Sequence, residues 1–513
     1  MRARRSLLVG AGLLALASLA VPPAASDTDP VPEDPAWVLR SRTQRIDPHA
    51  YESLCTARTR DGAPGTRTLD LFHDVSVTAV ADRVERDARG TVTWAGHEAG
   101  RPERTVLLTV TGACEPNARA ASTAVDGVVT RGPLTYTLSS APGRPGRVLV
   151  TEEDPRKRPL PVTDEVAAGA PPRHNPPGVP AAEPEPVVID MVVGYTPRAA
   201  ERIGGATAMR SRIALADATV DSALADSGVR ASVDVVAVYE APYDGSERAS
   251  DVYRKLSDPY DRRLGAPAAA LRERHAADLA ALLVTVPAGT SSGQGSLPSP
   301  PTPTSDDAAY SVTDVDSVVD WFNFGHEVGH NLGLWHDRAT LARQNVGRDW
   351  TRSLTTPYST GWVTPDGRFH TIMAYGSSCP GPCAAVNQFS NTLRTREGQP
   401  LGDADNDNAR VAALTAPVVA GYRTPEVPVT RHALTLAAAP TAGGAVAPGA
   451  WGPYRPGTEV TVTAVPAPGL VFAGWLLDGR AHPHKEPVIA VTMDAAHALT
   501  ARFEPRPVRP PAK

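Results

Sequence analysis

Lysine is scarce. Only four of the 51 basic residues are Lys (157, 255, 485 and 513), and with abundant Ala, Pro and Gly this reads as the product of a GC-rich, bacterial genome. Neither sign of charge dominates: a net charge of −5 with 42% apolar residues lacks the basic excess of a nucleic-acid binder and fits globular protein. Past the N-terminus no apolar run is long enough to cross a bilayer. Cysteine is rare too, with four residues that fall as two pairs, Cys55 with Cys114 and Cys379 with Cys383. Four cysteines allow three connectivities, and closeness in sequence favours this one. At 513 residues the chain exceeds one ordinary domain.

The N-terminus carries an address. Met1 to Arg5 is basic, Ser6 to Ala20 is apolar, and Pro22 to Ser26 supplies small residues for a signal peptidase. The apolar run is shorter than the ~20 residues of a membrane span, so a cleaved signal peptide over residues 1–26 is expected. No cysteine follows that would mark a lipoprotein. The mature protein is expected to be exported and soluble, in a compartment that permits disulfides.

Residues 27–155 alternate apolar and polar positions, as in "DVSVTAVADRVE" and "RTVLLTVTG", and predict a β-rich region. Residues 156–186 are Pro-rich, without periodicity, and open with Arg156-Lys157-Arg158. They predict an accessible linker, in which the basic cluster is as compatible with a solvated patch as with a processing site. From Val187 the order is strand, helix, strand, helix, strand, an α/β layout, with Met209, Ile213, Val220 and Leu224 on one helical stripe and Gly228 as its stop. That region runs to 424. After a linker at 425–430, evenly spaced short strands over 431–505 predict a separate small all-β module, followed by a tail at 506–513.

The stretch "HEVGHNLGLWHD", His326 to Asp337, carries the chemistry. If residues 318–332 are helical, His326 and His330 lie one turn apart on one face, where both imidazoles can reach one ion. Glu327 is one step round, near enough to act on a metal-bound water. Gly333 permits the positive φ that ends a helix abruptly and lets His336 return as a third ligand. Three neutral histidines and a water make a catalytic zinc arrangement, in which Glu327 takes the proton and passes it to the leaving amine. The bland alternative is an amphipathic helix with solvated histidines. It would survive one i,i+4 pair but not the complete H-E-x-x-H-x-x-G-x-x-H pattern.

This pattern, with "TIMAY" 37 residues beyond His336, resembles the metzincin clan of zinc endopeptidases. The resemblance implies a mixed-sheet α/β catalytic domain over 187–424, Met373 as an apolar floor beneath the imidazoles, and Asp337 as local support. It also implies Tyr375 as a hydroxyl able to approach the metal; a buried, satisfied tyrosine is the equal alternative. "VVIDMVVGYTP", "GRFHTIMAYGSSC", "QFSN" and "DNARVAALTAPVVAGYR" extend the similarity to the bacterial reprolysin-like peptidyl-Asp metalloendopeptidases, and make 27–155 resemble their propeptide. The loop "SSGQGSLPSPPTPTS" departs from the group, which carries a Cys-Gly pair there, so cleavage preference does not transfer. Residues 431–505 resemble bacterial repeat modules related to internalin B repeats, which could bind a surface or substrate.

Other features are weaker. Cys379 and Cys383 in "CPGPC" have no further cysteine nearby to complete a structural zinc site, so a small disulfide is expected. Cys55 or Cys114 could be a latency thiol, but each would leave the other unpaired. "DADNDNAR" (403–410) lacks the glycine and glutamate of a calcium loop, and Asp407 or Asn408 is expected to cap a helix. His370, three residues before Met373, is the one other histidine near the site.

The composite expectation is a secreted bacterial zinc endopeptidase made as a zymogen and acting on proteins or peptides. Two rivals are an adhesin or binding protein with a vestigial zinc domain, against which the presence of Glu327 argues, and a zinc amidohydrolase of non-peptide amides.

Overall fold

The computed structural model describes residues 35–51, 62–87, 89–158, 162–164, 185–319, 321–425 and 429–506. The expected signal peptide, Cys55, most of the 156–186 segment, residues 426–428 and the tail from 507 lie outside the described residues.

The N-terminal region is a run of antiparallel strands: β1 (Val38–Arg45), β2 (Thr66–Phe72), β3 (Val75–Arg86), β4 (Val92–Glu98), β5 (Arg101–Thr111), β6 (Ala124–Arg131), β7 (Leu134–Ser140) and β8 (Arg147–Glu153). Their sheet order is β1-β8-β7-β6-β5-β4-β3, with β2 on β3. From β2 to β8 consecutive strands pair antiparallel, and the alternation in β3 puts Val75, Val77, Ala79 and Ala81 into a core with Trp94 and Val125.

The central region is layered α/β. Strands β9 (Val187–Tyr195), β10 (Ala231–Glu240), β11 (Leu279–Val284), β12 (Gly293–Gly295) and β13 (Tyr310–Asp314) form a sheet in the order β10-β9-β11-β13-β12. All neighbours are parallel except the edge strand β12, which is antiparallel to β13. The all-apolar "LAALLV" of β11 is buried at every position, as a parallel strand covered on both faces requires. Helices α1 (Pro197–Ile203), α2 (Ala206–Asp226), α3 (Ala249–Leu256), α4 (Gly265–His275), α5 (Asn323–Asn331), α6 (Arg338–Gln344) and α7 (Asn408–Val419) pack around it. Asp407 caps α7, accepting from the Arg410 amide at 3.0 Å.

Helix α2 buries more than one stripe. Besides Met209, Ile213, Val220 and Leu224, it buries Ser211, Leu215 and Asp221, because the N-terminal sheet covers its other side. Thr109 Oγ1 donates to the Ser211 carbonyl at 2.9 Å, Arg212 pairs with Asp126 at 3.0 Å, and Arg83 pairs with Asp221 at 2.5 Å. Leu107, Ala124 and Val128 join the central core.

Short strands β14 (Phe369–His370), β15 (Ala384–Ala385), β16 (Asn391–Arg396) and β17 (Gln399–Leu401) pair two by two outside the central sheet. The C-terminal module comprises β18 (Leu434–Ala439), β19 (Gly444–Pro448), β20 (Glu459–Pro466), β21 (Leu470–Leu477), β22 (Arg480–Ala481), β23 (Val488–Thr492) and β24 (His497–Pro505), with Trp475 in its core. It is less separate than its sequence suggests. Strand β20 pairs with β3 through Glu459–Val84 and Val460–Arg83, so the module extends the N-terminal sheet. Arg431 and Arg455 converge on Asp190 and Asp234 of the central sheet. Exposed backbone at the end of β3 supplies that junction, and hydrophobic patterning carries no sign of which strand will take it up.

Among the described residues, no helix is long and apolar enough to cross a membrane.

Candidate metal centre

The site is built on α5. This helix is shorter than expected, starting at Asn323 after Phe322 at φ +54°, whereas residues before it form turns. All nine of its residues are buried, His326, Glu327 and His330 included. Gly329, between the histidines, faces Met373: a Cβ there would stand 2.6 Å from the methionine sulfur. The helix stops at Leu332, and Gly333 adopts φ +80° where a Cβ would meet Pro301 at 2.7 Å, so both conformation and space call for glycine. The chain then turns back. Trp335 bridges to the loop at Thr360, and the Asp337 amide donates to the Met373 carbonyl at 3.1 Å.

These contacts bring three Nε2 atoms together. His336 Nε2 lies 3.1 Å from His326 Nε2 and 3.0 Å from His330 Nε2. Each opposite ring nitrogen faces an oxygen acceptor: His326 Nδ1 the Ile372 carbonyl at 2.9 Å, His330 Nδ1 the Leu334 carbonyl at 2.8 Å, and His336 Nδ1 the Gln344 Oε1 at 3.1 Å. With the protons held on Nδ1, three Nε2 lone pairs converge.

A fourth donor arrives from far upstream. Asp164 Oδ1 lies 3.0 Å from His336 Nε2 and 3.5 Å from His326 Nε2, and Oδ2 lies 3.2 Å from His330 Nε2. Its side chain is 1% exposed, and Oδ2 accepts no hydrogen bond. Lone pairs and a carboxylate at such distances repel one another unless a cation lies among them. Three neutral imidazoles plus one oxygen donor fit a tetrahedral zinc site. Among the described residues this is the one cluster of three or more such side chains able to hold a metal.

Glu327 is buried, and its Oε2 also lacks a hydrogen-bond partner. Burial, with the Asp164 charge nearby, pushes its carboxyl well above the ordinary range. Burial pushes His330 down to about 4, whereas at His336 the Asp164 carboxylate outweighs burial and raises the imidazole. Space for Glu327 comes from the edge strand, where Gly293 and Gly295 lie against it. Asn323 fixes the start of α5 by donating to the Ser292 carbonyl at 2.9 Å.

Asp337 caps α6 and braces the turn around Met373. It accepts from the Thr340 amide at 2.9 Å, Ser378 Oγ at 2.6 Å and the Tyr375 amide at 3.2 Å. Cys379 and Cys383 form a disulfide just beyond. Cys114 is also disulfide-bonded, which removes it as a latency thiol. The Tyr375 ring stands against both His326 and His336, and its hydroxyl donates to Asp164 Oδ1. His370 is not in the cluster; its Nδ1 donates to the Thr371 carbonyl, and burial lowers its pKa. A cavity beside His326 is lined by Trp321, Ile372 and Tyr375, and by Arg156 and Arg158 from the N-terminal side.

Two features differ from expectation. The 156–186 segment is not simply an accessible linker, because residues 162–164 run into the site and Asp164 is buried there. Arg158 is likewise buried, paired with Glu153, so the basic cluster is not a uniformly solvated patch. Asp164, Gln344 and the glycines of β12 were not recognisable in sequence, since each acts through a long-range approach rather than a local pattern.

Residues 186–390 match the family described as metallo-peptidase family M12. The central region is thus similar to the M12 metallopeptidases over those residues. Residues 434–507 match the divergent InlB B-repeat domain. A peptidyl-Asp metalloendopeptidase of Stenotrophomonas maltophilia (strain K279a) is 27% identical over 428 residues, spanning 76% of this chain and 93% of its own. Proteins of the same description from Xanthomonas campestris pv. campestris and Pseudomonas aeruginosa are 25% and 27% identical, over 70% and 49% of this chain and 83% and 43% of theirs. A solved chain titled "Structure of a chaperone-substrate complex" aligns at a TM-score of 0.35 with 19% identity, over 47% of this chain and 36% of its own, and bears on nothing here. The M12 domain and these relatives make the chain a zinc metalloendopeptidase.

Proposed function

We propose that the protein is a secreted bacterial zinc endopeptidase, made as a zymogen whose propeptide is residues 27–155, acting on polypeptides through a metzincin-type domain at 187–424. The convergence of three Nε2 atoms, each with its Nδ1 committed to an acceptor, carries this reading. His326, His330 and His336 would hold the zinc. When bound, zinc supplies Lewis acidity that polarises the scissile carbonyl and acidifies the attacking water. Glu327 takes a proton from that water and delivers it to the leaving amine. The Tyr375 hydroxyl, now donating to Asp164, is placed to donate to a substrate carbonyl oxygen instead. Met373 and Gly333 set the positions of the imidazoles, and Asp337 holds the turn beneath them. Edge strand β12 offers backbone to an extended peptide, which favours a polypeptide over a sugar amide.

The relatives' names point to bonds at aspartate, so peptides containing Asp are the first defined substrates to try. The C-terminal module would serve to bind a surface or substrate. The test is digestion of unfolded casein by the processed, secreted protein, with and without a zinc chelator, beside Glu327→Ala. Activity lost with chelator, restored by zinc and missing in Glu327→Ala is expected. Equal inertness of zinc-loaded wild type and Glu327→Ala on casein and a peptide library would refute the reading.

A further inference from the structure

We propose that the C-terminal module is a clamp on the N-terminal sheet: it holds that sheet against the catalytic domain and keeps it there when the covalent link between them is cut. The clamp needs no metal. For a zymogen it makes release of the sheet a step separate from the cut, a consequence that rests on the zymogen reading.

The N-terminal sheet is gripped at two places. Helix α2 takes its middle, where Leu107, Ala124 and Val128 join the central core and Arg212 pairs with Asp126. The module takes β3, at the far end of the strand order. Beyond the pairing of β20 with β3, Thr461 Oγ1 donates to the Ala81 carbonyl at 2.6 Å, and the Ala490 amide donates to the Gly62 carbonyl at 2.9 Å. Glu459, Val460 and Thr461 are buried there. The two surfaces approach too closely for side chains at the contact. A Cβ at Gly449 would stand 2.5 Å from Asp82 Cβ, and one at Gly62 would stand 2.8 Å from His482 Cε1.

The module is in turn fixed to the catalytic domain. Arg431 reaches Asp190 and Asp234, and the Arg230 guanidinium lies 4.5 Å from the centre of the Trp451 ring. Arg455 closes the junction of all three regions. Its Nε lies 3.5 Å from Glu85 Oε1 of β3 and 2.9 Å from Asp234 Oδ1 of β10.

Chain order makes these contacts a clamp. Helix α2 and the module both lie downstream of residues 156–186, so a cut there leaves both grips on the same fragment. The N-terminal region keeps a core of its own around Val77, Trp94 and Val125, which makes it a body held or released whole. Two grips on one body act together. While either holds, the other rebinds at high effective concentration, so losing one forfeits that advantage as well as its own contacts.

The experiment uses the full-length chain carrying Glu327→Ala, which prevents self-processing, with a recognition sequence for an added site-specific protease inserted after Gly178. After the cut, native mass spectrometry and size-exclusion chromatography over a dilution series give the Kd between the two fragments. The fragments should stay together at low micromolar concentration. Gly449→Leu drives a side chain into Asp82 and should raise the Kd about tenfold or more. Thr461→Val removes one hydrogen bond and should raise it about fivefold. Valine keeps the shape of threonine, so a shift in the same direction at equal Tm removes misfolding of the module as the cause. Prompt separation of the unsubstituted fragments would overturn retention. An unchanged Kd in both variants would overturn the clamp and leave α2 as the sole grip. N-terminal sequencing of the secreted wild type tests the zymogen reading by itself: an uncut chain would refute that reading and leave the measured affinities as they are.

Discussion

Gly293 leaves the volume that the Glu327 carboxylate fills: a Cβ at 293 would stand 2.0 Å from Glu327 Oε1 and 2.8 Å from Asn323 Nδ2. The edge strand and the active-site helix thus meet at a point that tolerates no side chain. Gly293→Ala should displace the glutamate and lower kcat by about 100-fold or more, since proton transfer by a positioned base contributes roughly 10²–10⁴. Zinc content and Tm should change far less. A fully active Gly293→Ala enzyme would show that Glu327 does not work from the position seen here.

Asp337 holds the third histidine to the loop that carries Met373. Its carboxylate caps α6 and accepts from Ser378 and the Tyr375 amide. Asp337→Ala removes a helix cap and leaves buried donors unpaired, a loss of about 2–4 kcal/mol. Urea denaturation of the zinc-loaded protein measures it. A change below about 0.5 kcal/mol would mean that the disulfide and backbone pairing alone hold the turn.

The C-terminal module is clamped by charge as well as by its strand. Arg431 Nε donates to Asp234 Oδ2 at 3.2 Å and Arg455 Nε to Asp234 Oδ1 at 2.9 Å, with Asp190 as a further partner of Arg431. Asp190 and Asp234 are both buried. Replacing both arginines by Ala strands two buried carboxylates, which costs about 3–5 kcal/mol for a broken buried pair. The double variant should melt lower and be cut faster by trypsin at the Arg423–Thr424 bond. Unchanged cleavage would leave β20 as the sole attachment.

The fold should lose stability as pH rises. Burial pushes the Asp278 carboxyl up to about 7, although the amides of Asp190 and Arg423 donate to it. Asp314 is pushed to about 7 as well, by burial and by the charge of Asp316. A folded pKa above the unfolded one means the folded state binds more protons. The contribution is therefore complete below about pH 4 and is lost as pH climbs through 7. For Asp278 the fall between pH 5 and pH 8 should be roughly 1–3 kcal/mol. Urea titrations at the two pH values, on wild type and Asp278→Asn, should show a smaller fall in the variant. Equal falls would remove Asp278 as the source.

Much of the site was legible because its geometry is local. Helical periodicity alone puts His326 and His330 on one face, a single glycine at φ +80° permits the return, and five residues separate the second and third histidines. The strand–helix order of the central region follows likewise from hydrophobic period. Asp164 is different. It precedes His326 by 162 residues in a Pro-rich stretch with no periodicity, and only tertiary structure brings its carboxylate to within 3.0 Å of the His336 imidazole. The glycines of β12 matter for what stands against them, and the union of β20 with β3 depends on an edge left open by distant strands. Sequence by itself determined the three histidines, the glutamate and the turn between them, because backbone geometry over a dozen residues suffices. Tertiary structure decided which carboxylate meets the imidazoles, what makes room for the glutamate and what the last module grips, because those depend on approaches between residues that no local pattern encodes.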